Sequence, residues 1–210
     1  MRLPKILLAD DHRMFAEMLR TLLGDRYDIV GLATDGHALI EAARRLQPDV
    51  IVIDIGMPQL NGLDAGQQIK KMRPAVKLIF LTMNSDPYLV RQAFRIGASG
   101  FLLKQGAASE LAQAIEKVLR GGLYTTPAAV DALANLCQLE PDRGDAYPEP
   151  TARQREVIQL LAEGLSMKQV ADTLNIKART VAAHKYAAME NLGIKSSAEL
   201  VQYAMKSRMV

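Results

Sequence analysis

The sequence predicts an α/β domain with a doubly wound, five-stranded parallel sheet, followed by a second, small all-α domain. Short runs rich in Val, Ile and Leu alternate with amphipathic helical patterns over the first 120 residues. Such continuous apolar runs are typical of parallel strands that helices cover on both faces. The last 60 residues show helical patterns alone. We therefore expect domains over residues 1–121 and 150–210, joined by a linker over residues 122–149.

The predicted strands and helices of the first domain follow one another in alternation. The strand runs are 5–10, 27–33, 49–55, 76–82 and 100–103. The helical patterns cover 13–23, 36–46, 62–72, 86–97 and 109–120. This alternation predicts the strand order 2-1-3-4-5, and in such sheets the functional site lies beyond the carboxyl ends of the strands.

Capping boxes predict the helices of the second domain. In a capping box a hydroxyl side chain and a Gln or Glu three residues later bond the first helical turn. The pairs with this form are Thr151 with Gln154, Ser166 with Gln169, and Ser196 with Glu199. They predict helices near 152–163, 167–174 and 197–206, and the pattern between them adds a helix near 178–191. Short helices in this succession predict a helix-turn-helix bundle.

The linker is predicted from its composition, because it is rich in proline, glycine and acidic residues and lacks apolar periodicity. A helix over residues 125–139 within it would have Thr126 as its cap and Pro127 at its first position. The net charge of +3 divides into +3 for the first domain, −4 for the linker and +4 for the second domain. We hypothesise that the acidic linker holds the basic second domain in the resting state.

The composition excludes several classes of protein. Apolar residues make up 49% and charged residues 23% of the 210 residues, which excludes a disordered chain. No run approaches the roughly 18 consecutive apolar residues of a membrane span, and the first apolar run breaks at Asp10 and Asp11, unlike a secretory signal. The single cysteine, Cys137, excludes an intramolecular disulfide and a cysteine-rich zinc site. We expect a cytoplasmic protein without membrane contact.

Charged and hydroxyl side chains stand at the ends of four predicted strands. They are Asp10, Asp11, Asp54, Thr82 and Lys104. Because the carboxyl ends of parallel strands meet at one edge of a sheet, we expect these side chains to converge. Three neighbouring carboxylates repel one another, and a hard cation such as Mg²⁺ relieves that repulsion.

An aspartate in such a set can attack phosphorus as a nucleophile. Asp54 is the candidate, because the middle strand presents it between the others. Lys104 would bind a phosphoryl oxygen. The Thr82 hydroxyl would donate a hydrogen bond only once the phosphoryl group is present, which makes it a switch. A single aspartate at a strand end is more often a helix cap, so this prediction depends on the whole set.

The same residues, together with the pairs Met57-Pro58 and Asn61-Gly62 that follow Asp54, resemble the receiver domain of two-component response regulators. The resemblance covers residues 4–121 and implies a flavodoxin-like fold. It also implies that a sensor histidine kinase phosphorylates Asp54.

The resemblance to receivers assigns further roles around Asp54. Thr82 and Phe101, three residues before Lys104, would form a switch pair. Gly56 stands where a side chain usually helps to set the dephosphorylation rate, and Gln105 stands where proline is frequent. The implied Mg²⁺ ligands are the carboxylates of Asp10, Asp11 and Asp54 and the backbone carbonyl of Gly56.

The second domain resembles the LuxR-type helix-turn-helix, from Thr151 and Arg153 through Ser166 to Leu192-Gly193. A receiver joined to this domain is typical of the NarL/FixJ class of transcription regulators. The resemblance implies double-stranded DNA as a partner, a recognition helix over residues 178–191 in the major groove, and a homodimer on activation. RNA polymerase is a further candidate partner. The candidate DNA contacts are Lys168, Lys177, Arg179, Thr180, His184, Lys185 and Lys195.

Small side chains set the predicted recognition helix apart from the LuxR pattern. Ala182 stands where the family often has lysine, and Lys177 where it often has a serine cap, while Ala183 and Ala187 add two more small side chains. Alanine contacts thymine methyl groups at best and cannot form a bidentate base contact. We expect modest affinity of the monomer, which a dimer on two half-sites raises. Direct base readout then depends chiefly on Arg179, His184 and Lys185.

Two other functions stay open at this point. One is a phosphohydrolase, but such an enzyme usually places a general acid two residues after its aspartate nucleophile, where this chain has Gly56. We therefore expect a protein that accepts a phosphoryl group without being a turnover enzyme. The other is a phosphorylation-controlled regulator that acts through protein contacts with weak or no DNA binding, which the alanines of the recognition helix favour.

Overall fold

The computed structural model describes residues 2–83, 87–127, 129–130, 150–207 and 209. The chain divides into two compact units, residues 1–141 and residues 142–210. The strands of the first unit are β1 (Lys5–Ala9), β2 (Asp28–Ala33), β3 (Val50–Asp54), β4 (Lys77–Thr82), β5 (Gly100–Leu103) and β6 (Tyr124–Thr125). Its helices are α1 (Arg13–Leu23), α2 (Gly36–Leu46), α3 (Gly62–Met72), α4 (Pro87–Ile96) and α5 (Ala107–Leu119), with a 3-10 turn at Lys104–Gly106.

The described strands form one parallel sheet in the order β2-β1-β3-β4-β5-β6. The predicted doubly wound order 2-1-3-4-5 is therefore confirmed. Residues 51 and 53 of β3 face a core shared with α2, α3 and α4. Residues 50 and 52 face a second core shared with α1 and α5. Because alternate residues are buried on both faces, the strands read as continuous apolar runs in the sequence.

The prediction of five strands is wrong by one, because β6 adds a strand beside β5. Tyr124 pairs with Gly100, and Thr125 pairs with Phe101. Gly121, at φ 86°, turns the chain back after α5. A two-residue strand is too short to produce an apolar run, so its sequence was assigned to the linker.

The helix predicted over residues 125–139 begins later than expected, since Thr125 lies in β6. Residues 127, 129 and 130 are helical. The Thr126 hydroxyl is buried and has no hydrogen-bond partner among the described residues, so it does not cap the helix as predicted. The rest of the predicted helix and linker lies outside the described residues, including Cys137 and the acids of the linker.

A close backbone contact fixes the start of α3 beside the end of β3. The Gly62 N–H donates a hydrogen bond of 2.9 Å to the Ile55 carbonyl. A Cβ atom at Gly62 would lie 2.0 Å from the backbone oxygen of Asp54, so only glycine fits there. The Asn61 side chain caps α3 by accepting a hydrogen bond of 2.9 Å from the Asp64 N–H. Asp54 is thus held at the sheet edge by the backbone of the next element.

The described part of the second unit is helical, as predicted. Its helices are α6 (Ala152–Ala162), α7 (Met167–Thr173), α8 (Ala178–Asn191) and α9 (Ser197–Lys206). Residues with positive φ follow the first three of them, at Gly164, Asn175 and Gly193. Val157 and Ile158 of α6 pack into two separate apolar clusters, the first with α7 and α8 and the second with α8 and α9. Helix α6 therefore joins the two clusters.

Two of the three predicted capping boxes are complete. They are formed by Thr151 with Gln154 and by Ser166 with Gln169. In the third, the Ser196 hydroxyl accepts a hydrogen bond from the Glu199 N–H at 3.2 Å. The Glu199 carboxylate accepts instead from the Lys195 N–H, one residue before the cap, at 2.9 Å. Helix α8 begins at Lys177 without a side-chain cap. Within the described residues, no helix has the length and apolar character needed to span a membrane.

Candidate functional site

The predicted strand-end residues meet at one edge of the sheet. Asp54 ends β3 and Thr82 ends β4, while Asp10 directly follows β1 and Lys104 directly follows β5. These four residues are buried, with exposed fractions of 3–8%. Charged residues are seldom buried so deeply unless they are paired. We call these four residues and Asp11, which is exposed beside them, the strand-end pocket.

Lys104 joins the two buried carboxylates of the strand-end pocket. Its Nζ donates a hydrogen bond of 2.7 Å to Asp54 Oδ2. The same Nζ forms an ion pair with Asp10 Oδ2, also at 2.7 Å. The ring of Phe15 lies 5.0 Å from Nζ and adds a cation–π contact. The ammonium group therefore stands between β1 and β3, although Lys104 follows β5.

Backbone N–H groups orient the other carboxylate oxygens. Asp10 Oδ1 accepts a hydrogen bond of 2.9 Å from the His12 N–H. Asp54 Oδ1 accepts one of 3.2 Å from the Gly56 N–H. A Cβ atom at Gly56 would lie 3.9 and 4.0 Å from the Asp54 carboxylate oxygens, in ordinary van der Waals contact, so a methyl group would fit beside Asp54.

Burial and ion pairing shift the pKa values of the buried pocket residues in opposite directions. Burial raises the pKa of Asp54, with a further contribution from the Asp10 charge, and this outweighs the lowering by Lys104. Burial alone would lower the pKa of Lys104, but its bonds to Asp10 and Asp54 more than compensate and raise it. Lys104 is therefore a fixed cation, whereas the buried Asp54 charge is incompletely compensated.

Four side chains of the pocket region can supply atoms to a metal ion. Ligand atoms of Asp10, Asp11, His12 and Asp54 all lie within 4.8 Å of one another. His12 is not among the predicted ligands, yet its Nδ1 lies 2.8 Å from Asp11 Oδ1. Its position directly after Asp10-Asp11 was the available signal. Three carboxylates against one ammonium leave an excess of negative charge, and this donor set fits a hard divalent cation.

The predicted switch residues lie on neighbouring strands. Phe101 is fully buried in the same core as Ala129, which follows β6. The Phe101 carbonyl accepts a hydrogen bond of 3.3 Å from the Thr126 N–H. Thr82 pairs in register with Leu103, two residues beyond Phe101. The segment that follows β6 therefore contacts the predicted switch residue Phe101 directly.

The outward side of α8 is the second candidate surface. Val181, Ala188 and Met189 are buried and face the bundle. The residues on the outward side are exposed, and we call them the α8 face: Arg179, Ala183, Tyr186, Ala187 and Glu190. Thr180 and His184 are half-buried at its margin.

The predicted DNA contacts differ in their exposure and in their hydrogen bonds. Lys168, Lys177, Arg179 and Lys195 are exposed. Lys185 lies apart from the others, since its Nζ donates a hydrogen bond of 2.7 Å to Ser197 Oγ on α9. Tyr186 is not among the predicted DNA contacts, although its exposed fraction of 59% is large for an aromatic residue. Its place seven residues after Arg179 on a helix was the available signal.

Comparison with known proteins agrees with both parts of this architecture. Residues 6–116 match the response regulator receiver domain. Residues 151–204 match the bacterial regulatory proteins of the luxR family. The chain belongs to the response regulators that carry a LuxR-type carboxyl-terminal domain. The strand-end pocket lies in the receiver of this response regulator, and the α8 face lies in its LuxR-type domain.

Relatives of this response regulator match it over nearly its full length. The oxygen regulatory protein NreC of Staphylococcus carnosus is 32% identical, covering 98% of this chain and 99% of the relative. The transcriptional regulatory protein MctR of Rhizobium johnstonii is 30% identical, covering 96% and 92%. One similar solved structure is RcsB from Salmonella enterica serovar Typhimurium, bound to a promoter in the presence of the phosphomimetic BeF3⁻. Its TM-score is 0.64 and its sequence identity is 27%, and the match covers 99% of this chain and all of that one.

Proposed function

We propose that this response regulator is a DNA-binding transcription regulator that a sensor histidine kinase controls by phosphorylating Asp54. The observation that carries the proposal is the position of Lys104, which binds the Asp54 and Asp10 carboxylates at 2.7 Å each. A buried nucleophile with a fixed cation at its side is suited to accept a phosphoryl group.

In the proposed transfer, an Asp54 carboxylate oxygen attacks the phosphorus of the kinase's phosphohistidine. A P–O bond forms, the P–N bond breaks, and the electron pair returns to the imidazole. Mg²⁺, held by Asp10, Asp11, Asp54 and the Gly56 carbonyl, would neutralise charge on the phosphoryl oxygens. The Lys104 Nζ gives up its hydrogen bond to the Asp54 carboxylate and donates to a phosphoryl oxygen instead. The Thr82 hydroxyl donates a hydrogen bond to another phosphoryl oxygen.

This exchange of partners gives the site two states. In the unphosphorylated state, Lys104 is bonded to Asp54 and Asp10. In the phosphorylated state, Thr82 is drawn toward the phosphoryl group, and Phe101 and the β6 segment bonded to it adjust. The result is a shift in population between two arrangements of the receiver.

The output of the switch is binding of α8 in the major groove. Exposed basic residues around α8 supply phosphate contacts: Lys168, Lys177, Arg179 and Lys195. Thr180 and His184 at the margin of the α8 face complete the predicted contacts, whereas Lys185 acts in support of α9. A dimer on two half-sites would raise the affinity. RcsB has been solved bound to DNA and as dimers on DNA, which favours this proposal.

The experiment that tests this proposal is selection of binding sites from genomic DNA with a small-molecule phosphodonor and Mg²⁺. We compare the wild type with Asp54→Asn, which keeps the shape of the side chain. We expect phosphorylated wild type to enrich defined sites and Asp54→Asn to bind them no better than unphosphorylated wild type. Absence of salt-dependent DNA binding by either form would favour the alternative of a protein-interaction regulator, and multiple turnover of a phosphomonoester would favour an enzyme.

A further inference from the structure

The α8 face has an unusual chemical character for a surface that meets DNA. Arg179, Ala183, Tyr186 and Glu190 follow one line along the helix, at spacings of four, three and four residues. Of these, the arginine is at the start of the line and the glutamate at its end. The two middle residues present a methyl group and an aromatic ring.

Tyr186 is the largest side chain at the centre of the α8 face. Its exposed fraction is 59%, so its ring is offered to whatever the face meets. Ala183 and Ala187 are also exposed. Because both of these neighbours are small, neither of them keeps the ring away from a groove floor.

Lys185 does not supply a polar group to the centre of the α8 face. Its Nζ is bonded to Ser197 Oγ at 2.7 Å and lies 5.6 Å from the centre of the Tyr186 ring. This cation–π contact places the Lys185 ammonium group beside the ring. The Glu190 carboxylate, further along the line, repels phosphate and does not take the place of a basic group.

Base edges in the major groove differ in what they offer to such a surface. All four bases present hydrogen-bonding groups, which the Tyr186 hydroxyl can bond but which a methyl group and a ring face cannot. Thymine alone among the four bases presents a C5-methyl group, and an apolar side chain gains by covering it. The centre of the α8 face is therefore complementary to thymine methyl groups.

We propose that Tyr186, with Ala183 and Ala187 beside it, is a specificity-determining residue that reads thymine C5-methyl groups in the operator. This inference rests on the proposed DNA-binding function and adds the chemical class of base that the recognition helix selects. The operator half-site carries thymine where the Tyr186 ring meets the groove floor. Arg179 and the surrounding lysines set the position of the helix on the phosphates.

The test uses the full-length protein and a duplex site selected from a random pool. Each thymine of the site is replaced in turn by uracil, which lacks only the methyl group. We expect the wild type to lose about fourfold in affinity for each methyl group that it contacts, which corresponds to burial of one methyl-sized group. Tyr186→Phe should keep this loss, because the ring remains, and Tyr186→Ser should bind thymine and uracil sites equally.

Lys168→Ala is the matched control, because a phosphate contact carries no sequence information. It should weaken binding to thymine and uracil sites by the same factor. Wild-type binding that is indifferent to uracil at every position would overturn the inference while leaving the DNA-binding function intact. A thymine preference that survives in Tyr186→Ser would overturn the role of Tyr186. Failure of the wild type to bind any duplex would overturn the proposed function itself, and the inference with it.

Discussion

In the receiver, four of the candidate site residues are buried, whereas the candidate residues on α8 are exposed or half-buried. Lys104 in the strand-end pocket holds two carboxylates at 2.7 Å. Tyr186 on the α8 face is 59% exposed, and the Lys185 Nζ lies 5.6 Å from the centre of its ring. From this difference we expect the pocket to affect folding stability and the α8 face to affect DNA binding. Substitutions in the two regions should therefore separate stability from binding.

The largest expected effect follows from removing the buried cation of the pocket. Lys104→Met leaves the Asp10 and Asp54 carboxylates buried without their ion pair. We expect a loss of about 3 kcal/mol in the free energy of unfolding, measured by urea denaturation. Lys71→Met on α3, where the side chain is exposed, is the control and should stay within about 0.5 kcal/mol of wild type. Equal stability of the two variants would contradict the pairing described here.

A second pair of substitutions compares two glycines that lie next to Asp54. Gly62→Ala places a methyl group against the Asp54 backbone oxygen, at 2.0 Å before relaxation. We expect a loss of about 2 kcal/mol, because the backbone must move to admit it. Gly56→Ala meets only the Asp54 carboxylate oxygens, at 3.9 and 4.0 Å, and should leave the stability almost unchanged. Thermal denaturation of both variants measures this, and the reverse order of stability would be inconsistent with the geometry.

A third substitution concerns Thr126, which follows β6 and donates its N–H to the Phe101 carbonyl. The buried Thr126 hydroxyl has no hydrogen-bond partner among the described residues. Thr126→Val keeps the shape and removes the unpaired group, so we expect a gain of about 1 kcal/mol in the free energy of unfolding. Thr125→Val is the control, since the Thr125 hydroxyl is already bonded to the Thr126 carbonyl at 3.5 Å. A loss of stability in Thr126→Val would mean that the hydroxyl has a partner in solution.

The smallest effect on stability is expected on α8, where the change should appear in DNA binding. Arg179→Ala should keep the unfolding free energy and lower DNA affinity, with the salt dependence of binding reduced by about one counterion. Lys185→Met removes the bond to Ser197 and should leave the salt dependence unchanged. Titration of labelled DNA at several salt concentrations measures the salt dependence of each variant. An equal salt dependence would contradict the difference between Arg179, on the outward side of α8, and Lys185, bonded to Ser197.

The contrast between the two regions also explains which features the sequence could predict. Asp10, Asp54 and Lys104 were found because parallel strands bring their carboxyl ends to one edge, so position in the chain fixes position in space. Strand β6 was missed because two residues give no periodic signal. Lys185 stays a predicted DNA contact, but the sequence did not indicate that its Nζ is bonded to Ser197 on the following helix. Helical periodicity cannot reveal such a long-range contact.

Asp54 is the proposed phosphoacceptor of this response regulator. Its most direct test is mass spectrometry of the intact protein after incubation with a small-molecule phosphodonor, with Mg²⁺ and with chelator. We predict that wild type gains the mass of one phosphoryl group in Mg²⁺ and that Asp54→Asn gains none. Equal labelling of Asp54→Asn, or labelling of the wild type at a different residue, would contradict the account.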